Sequence, residues 1–343
     1  MPPISIIIPA RNEEEKIRRS LEGVFQQTYP DFEVIVVDDR SEDGTPLILE
    51  EIKADHPILH ALHGQELPAG WVGKPFALHQ GVERARGEWF CFLDADTFAE
   101  PELLISAYLK AEKMNADCLT LFTKQIMGGF WEKVVLPIVF TAMMFGFPPH
   151  KVNDPDHPLA IANGQFILIR RNVYQAVGGH FQVRNRIDED KALAEEVKKQ
   201  GFRLFLADGQ ALARTRMYSS LSEIWEGWTK SMFLGMQDHL GLLAFGGIIA
   251  LVGAFGIPSW WGFVLANLSR FGWLPSVVML LELVIFSVYL VVKRARVART
   301  FGINPWYGCS LPLGSGIFAG MMMVSVFNVL SGRGVTWKGR RYP

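Results

Sequence analysis

Two aspartates at the end of an apolar run are the residues whose spacing most directly suggests chemistry. They are Asp94 and Asp96, and they close the run at residues 90–96. Alternate residues of a β-strand point to the same side, so the pattern predicts two carboxylates presented together where the strand ends. Mg²⁺ and Mn²⁺ combine one or two carboxylates with phosphate oxygens and water. We interpret the pair as a metal–diphosphate clamp, the alternative being a strand end with two solvated acids.

The composition restricts the class of protein. A chain of 343 residues fits one large domain or two smaller ones, and its net charge of -1 gives no electrostatic reason to expect a nucleic acid partner. Cys91, Cys118 and Cys309 are far apart, which indicates reduced packing residues and not disulfides. The first apolar run, residues 4–8, has the length of a strand and not of a secretory signal. The eight histidines form no ligand-spaced cluster, which disfavours a zinc site.

The first two thirds of the chain alternate short apolar runs with amphipathic stretches. The runs at residues 4–8 and 33–37 have almost no polar interruption, as expected in a parallel sheet covered on both faces. Asn12 is predicted to cap the helix that follows the first run. The alternation predicts an open α/β sheet. Ligands bind such sheets beyond the carboxyl ends of the strands, where residues 9–12, the Asp38/Asp39 pair and the Asp94/Asp96 pair all fall.

The last third of the chain has the composition of a membrane region. Residues 240–257 and 309–330 carry no charge, and residues 274–292 carry only Glu282. Each run is long enough to cross roughly 30 Å of hydrocarbon at about 1.5 Å per residue. We therefore predict a catalytic domain at residues 1–235 and transmembrane helices with a basic tail at residues 236–343. Buried core helices of a soluble domain are the alternative.

The distribution of basic residues bears on membrane topology. Residues 293–299 and the tail at 333–341 are both rich in Lys and Arg, which places both on the cytoplasmic side. One crossing separates them, so either residues 314–316 form a re-entrant hairpin or residues 260–273 also cross. The prediction is a multi-pass protein of the plasma membrane with its catalytic domain in the cytoplasm.

A shorter apolar stretch at residues 134–147 cannot span a bilayer and contains Pro137. Trp131 and Lys133 precede it, and both suit the headgroup level. We interpret residues 131–147 as an interfacial helix lying on the bilayer beside the site. A helix packed on the sheet is the alternative.

Several motifs, in family-like order and spacing, resemble those of family 2 glycosyltransferases. They lie at residues 7–14, 36–45, 73–74, 94–96 and 188–190, and the resemblance covers about residues 4–231. It implies the GT-A fold, a nucleotide-sugar donor, a divalent Mg²⁺ or Mn²⁺ ion and inversion of the anomeric centre. Arg40 stands where the family usually has Gly, which leaves the acids in place.

The donor site is expected at the first four motifs. Backbone and short polar groups after the first strand can meet a nucleobase, and an aspartate after the second can accept hydrogen bonds from uracil or ribose. Lys74, at a helix start, offers a point charge to diphosphate oxygens. By resemblance, Asp96 is the direct metal ligand, and Asp94 lies nearer the ribose or reaches the metal through water. The residues assigned to the nucleotide sugar are Pro9, Ala10, Asn12, Glu13, Asp38, Asp39, Lys74, Asp94 and Asp96, and which of the two strand-two aspartates binds stays open.

The acidic run after residue 187 is expected to supply the base. Inverting transfer needs a carboxylate to take the acceptor proton, and the resemblance assigns that role to Asp190. Lys74 and the metal would stabilise the charge on the leaving group. Complementing a helix dipole is the alternative role, and it suits Asp188 or Glu189 better. Glu189 and Gly164 are assigned to the acceptor side, where glycine permits close approach to the backbone.

This chain lacks one string that some members of the family carry, and this favours a particular subgroup. The Gln/Arg-x-x-Arg-Trp string of processive synthases is absent, and residues 216–218, 226–230 and 334–342 look like the carotenoid-pathway glycosyltransferases of the diaponeurosporenoate type. Trp228 and Lys230 would then replace the missing motif at the diphosphate. The predicted function is transfer of a sugar, from UDP or a similar carrier, to a lipid acceptor at the cytoplasmic membrane face. The alternatives are a polyprenyl-phosphate sugar synthase and a catalytically silent membrane scaffold on the same fold.

Overall fold

The chain forms two compact units. A computed structural model describes residues 1–236, 240–331, 335–337 and 340–342, with side chains described for residues 1–232, 246–328 and 330–331. The first unit, here the sheet unit, comprises Met1–Ile126 and Phe147–Met217. The second, the helical unit, comprises Met127–Gly146 and Tyr218–Pro343. Residues 127–146 and 218–235, predicted to belong with the sheet, therefore group with the C-terminal helices.

Twelve strands are found in the described residues, ten of them in the sheet unit. In chain order they are β1 (Ile4–Ala10), β2 (Phe32–Asp38), β3 (Leu59–His63), β4 (Trp89–Phe92), β5 (Thr97–Ala99), β6 (Cys118–Phe122), β7 (Lys124–Gln125), β8 (Ile167–Arg170), β9 (Leu204–Asp208), β10 (Ala213–Thr215), β11 (Val335–Trp337) and β12 (Arg340–Tyr342). The last two form an antiparallel pair in the helical unit.

The helices of the described residues connect and cover these strands. In chain order they are α1 (Ile17–Phe25), α2 (Thr45–Asp55), α3 (Gly73–Arg84), α4 (Leu103–Lys113), α5 (Phe130–Gly146), α6 (Pro149–Val152), α7 (Arg171–Ala176), α8 (Gly179–Gln182), α9 (Glu189–Lys199), α10 (Leu221–Met236), α11 (Leu240–Leu251), α12 (Ile257–Asn267), α13 (Trp273–Thr300) and α14 (Leu311–Ser331). A π-helical turn at Val252–Gly256 joins α11 to α12, and a 3₁₀ helix at Pro305–Ser310 precedes α14.

The sheet unit is built on seven strands in the order β3-β2-β1-β4-β8-β6-β9. Strands β1 to β4 are parallel, whereas β8 runs antiparallel to both of its neighbours. The apolar run of β1 is buried on both faces: Ile6 and Ile8 pack in one core cluster, and Ile7 packs in the other. This is the period-2 alternation of a strand with helices on both sides. The predicted open α/β sheet is present.

The helical unit contains the membrane-length segments. Within the described residues, three helical segments are long and apolar enough to cross a bilayer: Gly246–Asn267, Trp273–Thr300 and Pro305–Asn328. The first continues from α11 through the π-helical turn into α12, so it takes in part of the stretch at residues 260–273. Helix α14 runs unbroken through residues 314–316, and the re-entrant hairpin considered there is not formed.

Helix α5 groups with the C-terminal helices in the helical unit. Its first half is buried, with Val135 and Val139 almost fully enclosed. The Phe140 ring lies 5.6 Å from that of Trp228 on α10 and 6.0 Å from that of Phe301. Phe145, in contrast, is 83% exposed. The interfacial role of residues 131–147 stays a prediction, and the large apolar side chains that α5 exposes lie at its two ends, Phe130 at the start and Met144 and Phe145 in the last turn.

Candidate active site

The aspartate pair lies in a turn and not on a strand, which corrects the first expectation. Strand β4 ends at Phe92, and its last ladder bond runs from Leu93 N to Ile7 O at 3.1 Å. The next residue of β1 that faces β4 is Pro9, which has no N–H to continue the ladder. The chain then turns, with Thr97 N donating to Asp94 O at 3.0 Å. The two side chains consequently have different neighbours.

Lys74 is the centre of the cluster in the sheet unit. Its Nζ lies 2.7 Å from Asp94 Oδ1 and 2.8 Å from Glu189 Oε1. The lysine comes from the start of α3, Asp94 from the turn after β4, and Glu189 from the first turn of α9. Asp96 lies apart from this contact, with its Oδ2 3.8 Å from Lys16 Nζ. The fold thus joins three sequence-predicted residues that are far apart in the chain.

Asp190 faces the same cleft. Its Oδ2 accepts a hydrogen bond from Gly164 N at 2.9 Å, and its Oδ1 accepts one from Lys191 N at 2.8 Å. A Cβ atom on Gly164 would lie 2.7 Å from Lys74 Nζ, so any larger residue there would require the ammonium group to shift. Asp188 does not join the cleft cluster, because Arg186 holds both of its oxygens at 2.7 and 2.8 Å. Among the three acids of this run, the structure places Glu189 and Asp190 in the cleft.

The cluster carries more negative than positive groups, and the pKa values respond. Burial alone would lower the pKa of Lys74, but Asp94, Glu189 and Asp190 together raise it well above its ordinary value. Burial raises the pKa of Glu189 to about 7, with Asp190 and Asp94 adding to the rise and Lys74 opposing it. Burial also raises the pKa of Asp190, against the opposing effect of Lys74 and the two amide hydrogen bonds. One ammonium among three carboxylates leaves an excess of negative charge.

His180 lines the cleft and was not assigned a role from the sequence. Its Nδ1 lies 2.8 Å from the hydroxyl of Tyr174, and its own backbone N donates to that hydroxyl at 2.9 Å. The hydroxyl and Nδ1 thus share one hydrogen bond, whose donor is set by the tautomer of the ring. Burial, with Lys74 and His79 adding to it, lowers the pKa of His180 to about 3. The neutral ring lies on the cleft wall.

The sequence does contain a signal for His180, namely the two glycines directly before it. Gly178 and Gly179 both have positive φ, at 80° and 51°, and the Tyr174 ring packs where a Cβ of Gly179 would stand. Two consecutive glycines therefore mark a place where the backbone must pass closely over a ring. That pattern could have identified His180 as a fixed residue, although it could not have named its partner.

The loops that follow β1 and β2 are braced against each other. Asn12, with a positive φ of 52°, accepts a bond from Glu42 N at its Oδ1 at 2.9 Å and donates from its own N to Ser41 Oγ at 2.9 Å. Glu13 N donates to Thr45 Oγ1 at 2.8 Å. The predicted capping by Asn12 is wrong, because α1 begins only at Ile17 and the asparagine is used to join the loops.

The two strand-two aspartates differ in what their carboxylates contact. Asp38 Oδ1 accepts a bond from Ser41 N at 3.1 Å, while its buried Oδ2 has no hydrogen-bond partner among the described residues and lies 3.5 Å from His63 Nδ1. Asp39 lies 3.6 Å from Arg11 Nη1, and its backbone N donates to Ala10 O at 2.7 Å. An acceptor atom without a bond is therefore found on Asp38.

Trp228 and Lys230 lie on α10, in the helical unit. The Trp228 ring is buried against Phe140, and its Nε1 has no hydrogen-bond partner in the part of the chain that the structure describes. Their suggested role at a diphosphate stays a prediction.

The described residues contain no group of three or more His, Cys, Asp or Glu side chains placed to hold a metal ion. The donor chemistry nevertheless fits a divalent cation. Asp94 and Asp96 supply carboxylate oxygens, and the excess negative charge beside Lys74 is of the sign that such a cation would offset. Two carboxylates leave the remaining positions to diphosphate oxygens and water.

Comparisons with known proteins identify the family and the fold of the chain. The family profile described as Glycosyl transferase family 2 matches residues 5–178. A 4,4'-diaponeurosporenoate glycosyltransferase of Staphylococcus aureus (strain USA300) is 30% identical over 264 residues, which are 73% of this chain and 68% of that protein. A mannosyltransferase of Pyrobaculum calidifontis, solved in complex with GDP-Man and Mn²⁺, superposes with a TM-score of 0.58 at 17% identity, covering 97% of this chain and 88% of that one. The predicted GT-A fold, followed by apolar helices long enough to span a membrane, is confirmed.

Proposed function

The chain belongs to glycosyl transferase family 2, and on that premise we propose that it moves a sugar from a UDP-linked donor to a lipid acceptor with inversion of the anomeric carbon. The observation that carries the proposal is the cleft in which Asp190, Gly164, Lys74 and Asp94 meet. It combines a carboxylate base with a cation at the carboxyl ends of the parallel strands, where ligands bind α/β sheets.

The donor would enter along the braced loops after β1 and β2. Pro9 lines the cleft, and Ala10, Asn12 and Glu13 follow it. Asp38 would accept a hydrogen bond from uracil N3–H or a ribose hydroxyl, because its buried Oδ2 otherwise lacks one. We therefore propose Asp38, and not Asp39, as the aspartate that binds the donor.

Asp190 would act as the general base. The acceptor hydroxyl gives its proton to Asp190 while its oxygen forms a bond to the anomeric carbon, and the bond from that carbon to the diphosphate oxygen breaks with its electron pair. Gly164 N–H holds Oδ2 of the base in place. A raised pKa suits a general base, because it makes the ionised carboxylate a better proton acceptor.

Lys74 would turn from its carboxylate partners to the leaving group. Its ammonium stays charged, since the neighbouring acids raise its pKa, and a positive charge at the diphosphate stabilises the departing oxygen. Asp96 and Asp94 would hold Mg²⁺ or Mn²⁺, which supplies further positive charge to the diphosphate when bound. The neutral His180 ring, which lines the cleft, would contact the donor sugar.

Two classes of acceptor differ in how much they need the base. A hydroxyl acceptor needs its proton removed, whereas a polyprenyl phosphate already carries negative oxygens at neutral pH. Loss of Asp190 should therefore be severe with hydroxyl lipids and mild with a phosphate acceptor. Labelled nucleotide sugars incubated with the purified protein and a membrane-lipid extract would identify the acceptor directly, and a protein that labels no lipid with any donor would support the silent scaffold.

The metal assignment is tested by calorimetry with UDP and Mn²⁺ on the full chain in detergent. Asp96→Ala should lose the Mn²⁺-dependent part of UDP affinity while the fold survives, because Asp96 belongs to neither hydrophobic core cluster of the sheet unit. Asp31→Ala is the matched control, since Asp31 is an exposed aspartate before the amino end of β2. Unchanged Mn²⁺-dependent affinity in Asp96→Ala would remove this residue from the metal site.

We further propose that the protein is a multi-pass protein of the plasma membrane with its sheet unit in the cytoplasm. The basic segment at residues 293–299 ends a membrane-length helix, and such segments stay cytoplasmic. Thr300→Cys in a Cys309→Ser background gives an exposed reporter, while Cys91 and Cys118 are buried. An impermeant maleimide should label it in inverted vesicles and not in right-side-out ones, and the reverse pattern would overturn this orientation.

A further inference from the structure

A proline inside α5 leaves a backbone carbonyl without its helical partner. Pro137 has no N–H, so Lys133 O cannot receive the bond that an α-helix normally provides from four residues on. Arg294 of α13 takes that place: its Nη2 donates to Lys133 O at 3.0 Å and lies 3.4 Å from Val134 O. One guanidinium nitrogen therefore has a structural task within the helical unit.

The rest of the guanidinium has no such task. Arg294 is 5% exposed, and its Nε and Nη1 are buried without a hydrogen-bond partner among the described residues. Over the same described part of the chain, no carboxylate lies within ion-pair distance of it. An arginine stays charged in a protein, and a buried charge is costly unless it is paired. The helical unit thus contains a cation of which two of the three nitrogens have no hydrogen-bond partner among the described residues.

The same helix shows that this burial is specific. Lys293, Arg296 and Arg299 stand on either side of Arg294 and are exposed. Beside it in the helical unit, Lys133 lies 6.0 Å from the centre of the Tyr307 ring, and the neighbouring Trp306 is 81% exposed. Basic and aromatic side chains at the end of a membrane-length helix are typical of the headgroup level of a bilayer.

We propose that Arg294 is a binding site for the anionic oxygens of a lipid headgroup, a phosphate in the first instance, received by Nε and Nη1. A phosphate oxygen is the acceptor that a guanidinium favours, and it would supply both the missing hydrogen bonds and the missing countercharge. The site is built from residues of the helical unit alone, so it stands whether or not the proposed transfer reaction is correct.

The experiment uses the full-length protein in nanodiscs of phosphatidylcholine, with or without phosphatidylglycerol. Native mass spectrometry measures the phosphatidylglycerol that stays bound, and a thermal scan measures stabilisation. Arg294→Gln should weaken retention by about tenfold or more, the scale of losing a buried charged partner. Arg296→Gln is the matched control, because it removes the same charge from an exposed position on the same helix, and its retention should stay close to that of the wild type.

A second variant separates the two tasks of Arg294. Pro137→Ala restores an N–H for Lys133 O, so the double variant Pro137→Ala/Arg294→Gln should keep α5 intact without the guanidinium. If it folds but does not retain phosphatidylglycerol, the binding role is supported. Wild-type retention in the double variant, or an equal loss in Arg296→Gln, would overturn the proposal. Stabilisation by inorganic phosphate alone, in detergent and dependent on Arg294, would overturn the assignment to a lipid headgroup.

Discussion

Each unit contains a basic side chain that is wholly or partly removed from solvent, and the groups around the two side chains differ in charge. Lys74 in the sheet unit meets Asp94 and Glu189 at under 3 Å, with Asp190 close by. Arg294 in the helical unit meets only backbone carbonyls, and two of its nitrogens have no partner among the described residues. Lys74 thus has more carboxylates around it than its single charge can pair. Arg294 has no carboxylate partner among the described residues.

The difference shows what kind of partner each site lacks. An excess of carboxylates lowers the cost of binding a further cation and keeps Lys74 charged for a diphosphate. A buried guanidinium with no acid beside it among the described residues would gain from an added anion. On the two proposals above, the sheet unit would bind a metal-bearing nucleotide sugar, and the helical unit would bind an anionic headgroup.

The largest expected effect is on turnover, and it follows from changing Asp190 in the cluster around Lys74. Asp190→Asn should retain UDP-sugar binding and lose at least about a hundredfold in turnover with a hydroxyl acceptor, because the amide cannot take the proton. Asp188→Asn is the control, since Arg186 and not the cleft holds that carboxylate. Steady-state kinetics with both variants decides. An inactive Asp188→Asn beside a near-normal Asp190→Asn would place the base two residues earlier.

Replacing each basic residue by methionine tests whether the two environments differ in their effect on stability. Lys74→Met leaves buried Glu189 without its partner and should lower the free energy of unfolding by about 2–3 kcal/mol, less than a fully buried pair because Lys74 is partly exposed. Arg294→Met loses one hydrogen bond but also removes an unpaired buried charge, so its stability in a zwitterionic detergent should change by less than about 1 kcal/mol. Chemical unfolding of both full-length variants measures this. Equal losses would mean that the two environments do not differ as described.

The raised pKa of Glu189 predicts a pH trend. Between the ordinary value of 4.5 and about 7, the folded protein holds a proton on Glu189 that the unfolded chain has released. Stability contributed by this group is therefore present at low pH and is lost as pH rises through that window. Relative to the wild type, Glu189→Gln should gain about 2 kcal/mol in unfolding free energy from pH 4.5 to 7. Parallel stability curves for the two proteins would show that Glu189 titrates normally.

The smallest effect concerns the exposed last turn of α5 in the helical unit. Phe145→Ser should change the unfolding free energy by less than about 0.5 kcal/mol, because the ring is 83% exposed, yet raise the acceptor KM several-fold. Phe140→Ser, which removes a ring packed on Trp228, serves as the contrast and should destabilise the protein. An acceptor KM unchanged by Phe145→Ser would argue against lipid contact at the end of α5.

Much of the sheet unit could be predicted because its signals are local. The uninterrupted apolar run of β1 and the polar residues after each strand need only the period of a strand to be recognised. The prediction failed where a distant partner decides. Asn12 looks like a helix cap until the loop at residues 41–45 is beside it, and the Asp94–Asp96 segment looks like a strand until Pro9 interrupts the ladder.

Patterns of a few residues were enough to predict the class of this protein. They indicated an alternating α/β unit with acids at its strand ends, and apolar runs of membrane length. Which charged groups meet could be known only from the folded chain. Lys74 finds Glu189, His180 finds Tyr174, and Arg294 replaces the amide that Pro137 lacks, 161 residues away from Lys133. Periodicity and composition say which face a residue occupies, whereas electrostatic partners depend on distances of a few ångströms between elements that the chain brings together only when it folds.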